Sequence, residues 1–125
     1  MTQAIDNSTT RSLELAMDGV MLRQQTIATN MANAHTPGYV PVSVEFERSL
    51  RAAVDQMGSA GGDPGAALQP VFKPQIDPVT GAPASVRLDQ EMAAMSQSVV
   101  QYEVLARSLS RELGLLSMAV TEGKR

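Results

Sequence analysis

The chain has 125 residues, a length typical of one domain, and its net charge of −3 provides no basic surface for nucleic acid or a membrane. It contains no cysteine, which excludes disulfides, thiolate metal sites and cysteine nucleophiles. Two tyrosines and two phenylalanines are the only aromatic residues, so we expect an aliphatic core in which helix packs on helix. No apolar run reaches the roughly 18 residues of a membrane span, and the N-terminus lacks the apolar segment of a secretory signal peptide.

Residues 8–34 predict a first helix. Apolar side chains recur there in steps of three and four, interrupted once by Gln24, which is the pattern of one buried helical face. This helix-pairing seam consists of Leu13, Met17, Val20, Ile27 and Met31. A second apolar stripe lies on the opposite face and consists of Leu15 and Leu22.

A reverse turn is predicted at Thr36, Pro37, Gly38 and Tyr39. Proline fixes its own φ and disfavours helix at the residue before it. Gly38 supplies the positive φ that the third position of a type II turn requires. Just before the turn, Asn30 and Asn33 are three residues apart, so we expect their amides to cap the last helical carbonyls or to bond the returning chain.

The middle of the chain has a different composition. Residues 43–57 predict a short amphipathic helix. Residues 58–86 contain five glycines and five prolines, a density that excludes a long helix, and we expect this segment to be extended or disordered.

Residues 88–120 predict a long last helix with a sustained heptad pattern. The seam on this helix consists of Met92, Met95, Val99, Tyr102, Leu109, Leu113 and Leu116. Its second apolar stripe consists of Val100, Val104, Leu115 and Met118.

Together these elements predict an all-α fold. The N- and C-terminal helices would pair as an antiparallel, coiled-coil-like hairpin, with the short middle helix and the extended Gly/Pro-rich segment between them. The expected parts are residues 1–39, 40–87 and 88–125, which form one domain. Two paired helices cannot bury both faces of both, so the second stripes indicate an intersubunit contact. The alternative is a wide core face that the middle segment covers.

The residues that catalysis requires are missing. His35 is the only histidine, with no carboxylate at ligand spacing, so we expect no metal site. Glu45 and Glu47 are two residues apart and would point to different sides of a helix. No phosphate-binding glycine motif is present. We therefore expect a protein that is not an enzyme and that has neither a cofactor nor a small-molecule substrate.

The stretch ATNMANAHTPGY resembles the N-terminal signature of bacterial flagellar rod and hook proteins. The matching residues are Ala28, Asn30, Ala32, Asn33, Thr36, Pro37, Gly38 and Tyr39. The C-terminal stretch resembles the last helix of that family, with matches at Val86, Leu88, Glu91, Met92 and Tyr102. The chain length and the Val44-Glu45-Phe46 that follows the turn are most similar to the proximal-rod type.

The resemblance implies a structural role in the rod of the flagellar basal body, in the periplasmic space. Such subunits are exported through the flagellar type III apparatus without a cleaved signal peptide. Their partners are copies of themselves, other rod proteins, the rod-to-membrane-ring adaptor protein and the membrane ring. The three parts above would then form one axial rod domain. The alternative is a soluble helical adaptor or chaperone-like module that binds one partner helix in its seam.

Overall fold

The computed structural model describes residues 2–59 and 66–123, with side chains described from residue 7 onward. It contains three helices, α1 (Thr2–Ala32), α2 (Glu47–Gly58) and α3 (Leu88–Glu122), and two strands, β1 (Val42–Glu45) and β2 (Val71–Pro74). The fold is therefore mostly helical but not purely α, and the all-α prediction is only partly right. No helix in these ranges has the length and apolarity needed to cross a membrane.

The two long helices pack against each other, as the sequence predicts. Two contacts show that the helices run antiparallel: the end of α1 meets the start of α3, and the middle of α1 meets the middle of α3. Asn30 Nδ2 lies 3.2 Å from Glu91 Oε2, and Tyr102 and Leu105 pack on the cluster that contains Val20. On α1, Val20 and Ile27 are buried, and Leu13, Met17 and Met31 are half-buried.

The rotation of α3 about its axis differs from the predicted seam. Met95, Tyr102, Leu109 and Leu116 are half-buried. Between them the inward positions are taken by Glu91 and Ser98, which are buried, and by Leu105 and Glu112, which are half-buried.

The predicted seam residues Met92, Val99 and Leu113 are instead exposed by 59%, 43% and 50%. Each lies one residue, or about 100° around the helix, after an inward position. Because Met95, Tyr102, Leu109 and Leu116 stay half-buried, the buried face as a whole differs from the predicted one by about 50°. Because Glu91 is hydrogen-bonded inside the molecule and Ser98 is small enough for close helix approach, these two residues favour the observed rotation.

The middle segment begins as a strand where the sequence predicts the start of a helix. β1 pairs antiparallel with β2, with Val42 opposite Pro74 and Glu45 opposite Val71. Val42 and Val44 are β-branched and suit this pairing. The helix starts only at Glu47, and residues 66–87 are extended apart from β2 and one hairpin. Residues 60–65 of the Gly/Pro-rich segment lie outside the described ranges.

The middle segment covers the second stripe of α1. Leu15 is only 3% exposed and forms a core cluster with Ala53 of α2 and Ala66. Leu22 is half-buried against the neighbouring cluster of Val20, Val44 and Phe46. Leu15 is therefore a residue of the intramolecular core and does not form part of an exposed stripe. Leu22 packs on the same core but keeps part of its side chain at the surface, so its intersubunit role stays a prediction.

Phe46 is the side chain that anchors the middle segment to α1. Its ring lies directly on Gly19, where a Cβ atom would come within 2.4 Å of Phe46 Cδ2. On the same ring, Arg23 places its guanidinium carbon 4.5 Å from the centroid, a cation–π contact. Glycine inside a helix costs about 1 kcal/mol relative to alanine, and here its lack of a side chain makes room for the ring.

Gly19→Ala should lower the free energy of unfolding by about 1–3 kcal/mol, because the new methyl group displaces the Phe46 ring. Gly114→Ala is the matched control, since Gly114 is also inside a helix but has no neighbouring atom within 4 Å. We expect the control to raise stability by about 0.5–1 kcal/mol. Urea unfolding followed by circular dichroism measures both, and equal stabilisation by the two changes would contradict the packing of Phe46 on Gly19.

Candidate functional site

The chain leaves α1 through a tight turn. The backbone N–H of Tyr39 donates to the carbonyl of Thr36 at 3.2 Å, and Gly38 has φ of +75°. This is the type II geometry that Pro37 and Gly38 predict. No atom lies within 4 Å of a Cβ placed on Gly38, so the backbone conformation, and not lack of space, requires glycine here.

Asn33 holds the end of α1 to this turn. Its Nδ2 donates to the carbonyl of Thr29 at 2.9 Å, and its Oδ1 accepts from Thr36 Oγ1 at 3.2 Å. The Thr29 carbonyl also accepts the Asn33 backbone N–H at 3.2 Å, so the side chain adds a second donor to a carbonyl in the last turn of α1. One amide thus caps the helix and fixes the first residue of the turn.

Asn30 binds the returning chain. Its side chain is fully buried, and its amide donates to the Val42 carbonyl at 2.9 Å and accepts from the Val42 N–H at 3.0 Å. The side-chain amide therefore pairs with β1 as a neighbouring strand would. Tyr39 adds a hydrogen bond from its hydroxyl to Asn30 Oδ1 at 2.9 Å. The two roles expected for the asparagines are thus divided between Asn33 and Asn30.

Glu91 brings α3 to the same point. Its carboxylate is buried, and it accepts from Asn30 Nδ2 at 3.2 Å and from Gln75 Nε2 at 3.4 Å. The Gln75 N–H in turn donates to the Pro41 carbonyl at 2.8 Å. We call Asn30, Tyr39, Val42, Gln75 and Glu91 the Asn30 cluster.

Asn30 and Tyr39 of this cluster are predicted from the sequence, whereas the roles of Gln75 and Glu91 are not. The one available signal was a charged residue at the start of α3, and acidic residues are ordinary in a first helical turn, where they complement the helix dipole. The burial of Glu91 depends on its contacts with Asn30 and Gln75, which are distant in the chain.

A second polar contact joins the start of α2 to α1. Arg23 donates to the Val44 carbonyl at 3.2 Å and forms an ion pair with Glu47. Partial burial raises the pKa of Glu47, but hydrogen bonds from Arg23 and from the backbone N–H groups of Glu47 and Phe46, together with the Arg23 charge, lower the pKa overall.

The outward side of α3 is the candidate assembly surface. The predicted second stripe is exposed along its whole length, with Val100, Val104, Leu115 and Met118 each 50–59% exposed. The displaced seam residues Met92, Val99 and Leu113 add to it. We call these seven residues the apolar α3 face. Monomeric proteins rarely expose so many large apolar side chains along one element, and such surfaces typically mark interaction sites.

Within the described residues, no cluster of histidine, aspartate and glutamate side chains is arranged to hold a metal ion. His35 is exposed in the turn. Glu45 forms an exposed ion pair with Lys73 at 2.7 Å, whereas Glu47 pairs with Arg23. The polar groups described above thus hold segments of the chain together.

No protein-family model matches the chain, and a search of curated proteins finds no match.

Removing the Asn30 amide should destabilise the protein far more than removing the Asn33 amide. Asn30→Ala leaves both Val42 backbone groups and the Tyr39 hydroxyl without their partner in a buried site, and we expect a loss of about 3 kcal/mol in unfolding free energy. Asn33→Ala, the matched control, should cost about 1 kcal/mol or less because its site is partly exposed. Urea unfolding measures both losses.

Asn30→Asp sharpens this test because it preserves the shape of the side chain. It removes the two donors and adds a negative charge beside buried Glu91, so it should cost at least as much as alanine. Equal, small losses for all three variants would contradict the role of the cluster.

The Arg23–Glu47 contact should make stability depend on pH. Because the folded-state pKa of Glu47 is lowered, its contribution is present above the unfolded pKa of about 4.3 and is lost as the pH falls through the folded value. Wild type should therefore exceed Glu47→Gln in stability above about pH 5, by less than about 1 kcal/mol because the carboxylate is largely exposed. The difference should vanish in acid, and a difference that grows on acidification would be inconsistent with it.

Proposed function

We propose that this protein is a structural subunit of the proximal rod of the bacterial flagellar basal body, of the FlgB type. It polymerises through its terminal helices and transmits torque from the membrane ring to the distal rod and hook. It is not an enzyme, and it works without a cofactor.

The apolar α3 face is the observation that carries this proposal. A chain that folds alone and acts alone has no use for seven large apolar side chains exposed along its longest helix. Burying such surface in a neighbouring subunit yields about 25 cal/mol per Å², against which the entropy of association acts. Many shallow contacts of this kind, acting together, suit a filament that carries load.

The residues that carry the family resemblance give a second line of support. They come from two stretches of the chain, and three of them meet in the Asn30 cluster. Asn30 and Tyr39 belong to the N-terminal signature, and Glu91 belongs to the C-terminal one. A shared signature would therefore preserve one physical unit that fixes the turn, the outgoing strand and the last helix.

The turn has a clear task in such a filament. It ends α1 at a fixed residue and sends the chain away from the helix pair. Tyr39 and Phe46 then secure the outgoing segment on α1 of the same subunit, leaving the outer face of α3 free. The subunit would contact copies of itself, other rod proteins, the rod-to-membrane-ring adaptor and the membrane ring, after export by the type III apparatus into the periplasmic space.

A helical adaptor or chaperone-like module is the second candidate, because the same apolar α3 face has the length to accept one partner helix. The two candidates differ in stoichiometry. An adaptor forms a small complex of fixed size, whereas a rod subunit adds to a growing filament.

Deletion of the gene in the source bacterium should abolish flagella and swimming, and the wild-type gene should restore both. Gly38→Val should fail to restore them although the protein accumulates normally, since a β-branched residue cannot readily adopt φ of +75°. Gly58→Val is the matched control, because Gly58 has no positive φ and open space around it. Swimming assays and electron microscopy of isolated basal bodies provide the readout.

Normal flagella after deletion would overturn the proposed function. Normal rods in the Gly38→Val strain would leave the function standing but contradict the role given to the turn. A small soluble complex in place of a basal-body location would favour the adaptor.

A further inference from the structure

One edge of the two-stranded sheet is closed by α1. The N–H and the carbonyl of Val42 bind the Asn30 amide at 3.0 and 2.9 Å, and the Val44 carbonyl accepts from Arg23 at 3.2 Å. In an antiparallel pair, the backbone groups of successive residues point alternately toward and away from the partner strand. The groups of Val42 and Val44 therefore point away from β2, and side chains of α1 occupy the place of a third strand.

The other edge of the sheet is open and belongs to β2. Phe72 lies opposite Val44 and Pro74 lies opposite Val42, so the backbones of Phe72 and Pro74 also point away from the partner strand. Among residues 2–59 and 66–123, no group outside the sheet is hydrogen-bonded to the Phe72 N–H. We call the outward backbone groups of residues 70, 72 and 74 the β2 edge.

The residues on either side of β2 agree with this alternation. Gln75 follows Pro74 and points toward β1, since its N–H donates to the Pro41 carbonyl at 2.8 Å. Pro70 precedes Val71, which is paired with Glu45, so the next step of the alternation directs the Pro70 nitrogen outward. Both prolines that flank Phe72 on this edge thus have their nitrogens on the open side.

The β2 edge belongs to a strand whose composition favours pairing with another strand. Val71 and Phe72 are 51% and 54% exposed, and both residue types have high strand propensity. Lys73 is the only ionisable residue between residues 66 and 76, and it already forms an ion pair with Glu45. The strand therefore has no unpaired charge that would repel another strand, which is one of the usual protections of a sheet edge.

Proline provides a different protection here. A second copy could extend the sheet by two-fold symmetric antiparallel pairing, with Phe72 opposite Phe72 and residue 70 opposite residue 74 on each side. Proline has no N–H to donate. Only the Phe72 pair could then form both of its hydrogen bonds, and the two flanking pairs would form none.

We propose that Pro70 and Pro74 prevent the β2 edges of two copies from pairing. The chain thereby keeps an exposed apolar strand at its surface and remains free to associate through other surfaces. The inference does not depend on the proposed function, because it concerns a contact that the protein avoids, and it applies to a rod subunit and to an adaptor alike.

The double variant Pro70→Thr/Pro74→Thr tests this inference. It restores both outward donors with a residue that suits a strand, and it removes no hydrogen bond inside the chain. Sedimentation velocity over a concentration series should show roughly tenfold tighter self-association than for wild type, because the flanking pairs can now form. Pro78→Thr is the matched control, since Pro78 is also exposed but lies in the turn of the hairpin that follows β2, and it should behave as wild type.

Adding Phe72→Lys to the double variant should return self-association to the wild-type level. Symmetric pairing would place the two lysines directly opposite each other, and like charges in that position are destabilising. This variant separates edge pairing from association through the apolar α3 face, to which Phe72 does not belong.

Two results with a folded double variant would overturn the inference. One is self-association no tighter than that of wild type, and the other is tighter association that persists after Phe72→Lys. Loss of the fold in the double variant, followed by circular dichroism, would overturn it as well. That result would show that the two prolines support the fold itself and do not merely limit its edge.

Discussion

The fold depends on one buried side-chain amide. Asn30 stands at the end of α1, and every other segment near the turn is fixed by reference to it. Its two polar atoms bind both backbone groups of Val42, the Tyr39 hydroxyl and the Glu91 carboxylate. A buried amide must find partners for its donors and acceptor, so the three segments can meet only in the arrangement that supplies them.

This constraint also explains why so much apolar surface remains outside. Glu91 is held inward by Asn30 and Gln75, and a helix is rigid in rotation over a few turns. The residues one position after the inward set, Met92 and Val99, must then face away from α1. On α1 the opposite occurs, since Phe46 seats the middle segment on Gly19 and covers Leu15. α1 is therefore covered on two sides, by α3 and by the middle segment, whereas α3 is covered on one side only.

The sequence predicts local features well and non-local ones poorly. Periodicity locates both long helices, and the requirements of Pro37 and Gly38 define the turn, because these signals act over a few residues. β1 was missed because its stability comes from β2 and Asn30, which are distant in the chain. The sequence does not predict the rotation of α3, because Met92 and Glu91 both begin a series of positions that repeats every seven residues. Only the hydrogen-bond partners of Glu91 inside the fold decide which of the two series faces α1. The burial of Leu15 likewise depends on Ala53 and Ala66.

The antiparallel pairing of β1 and β2 has a mechanical consequence. Residues 75–84 continue directly from the end of β2 that lies opposite Val42, so a pull on this hairpin and the restraint of Val42 by Asn30 act at the same end of the strand pair. Hydrogen bonds in an antiparallel pair run across the strands, and such a pull loads the pair nearest that end first. The bond from Gln75 to Pro41 lies there. Force entering at Val79 would therefore pass to α1 through Val42 and leave the far end of the sheet almost unloaded.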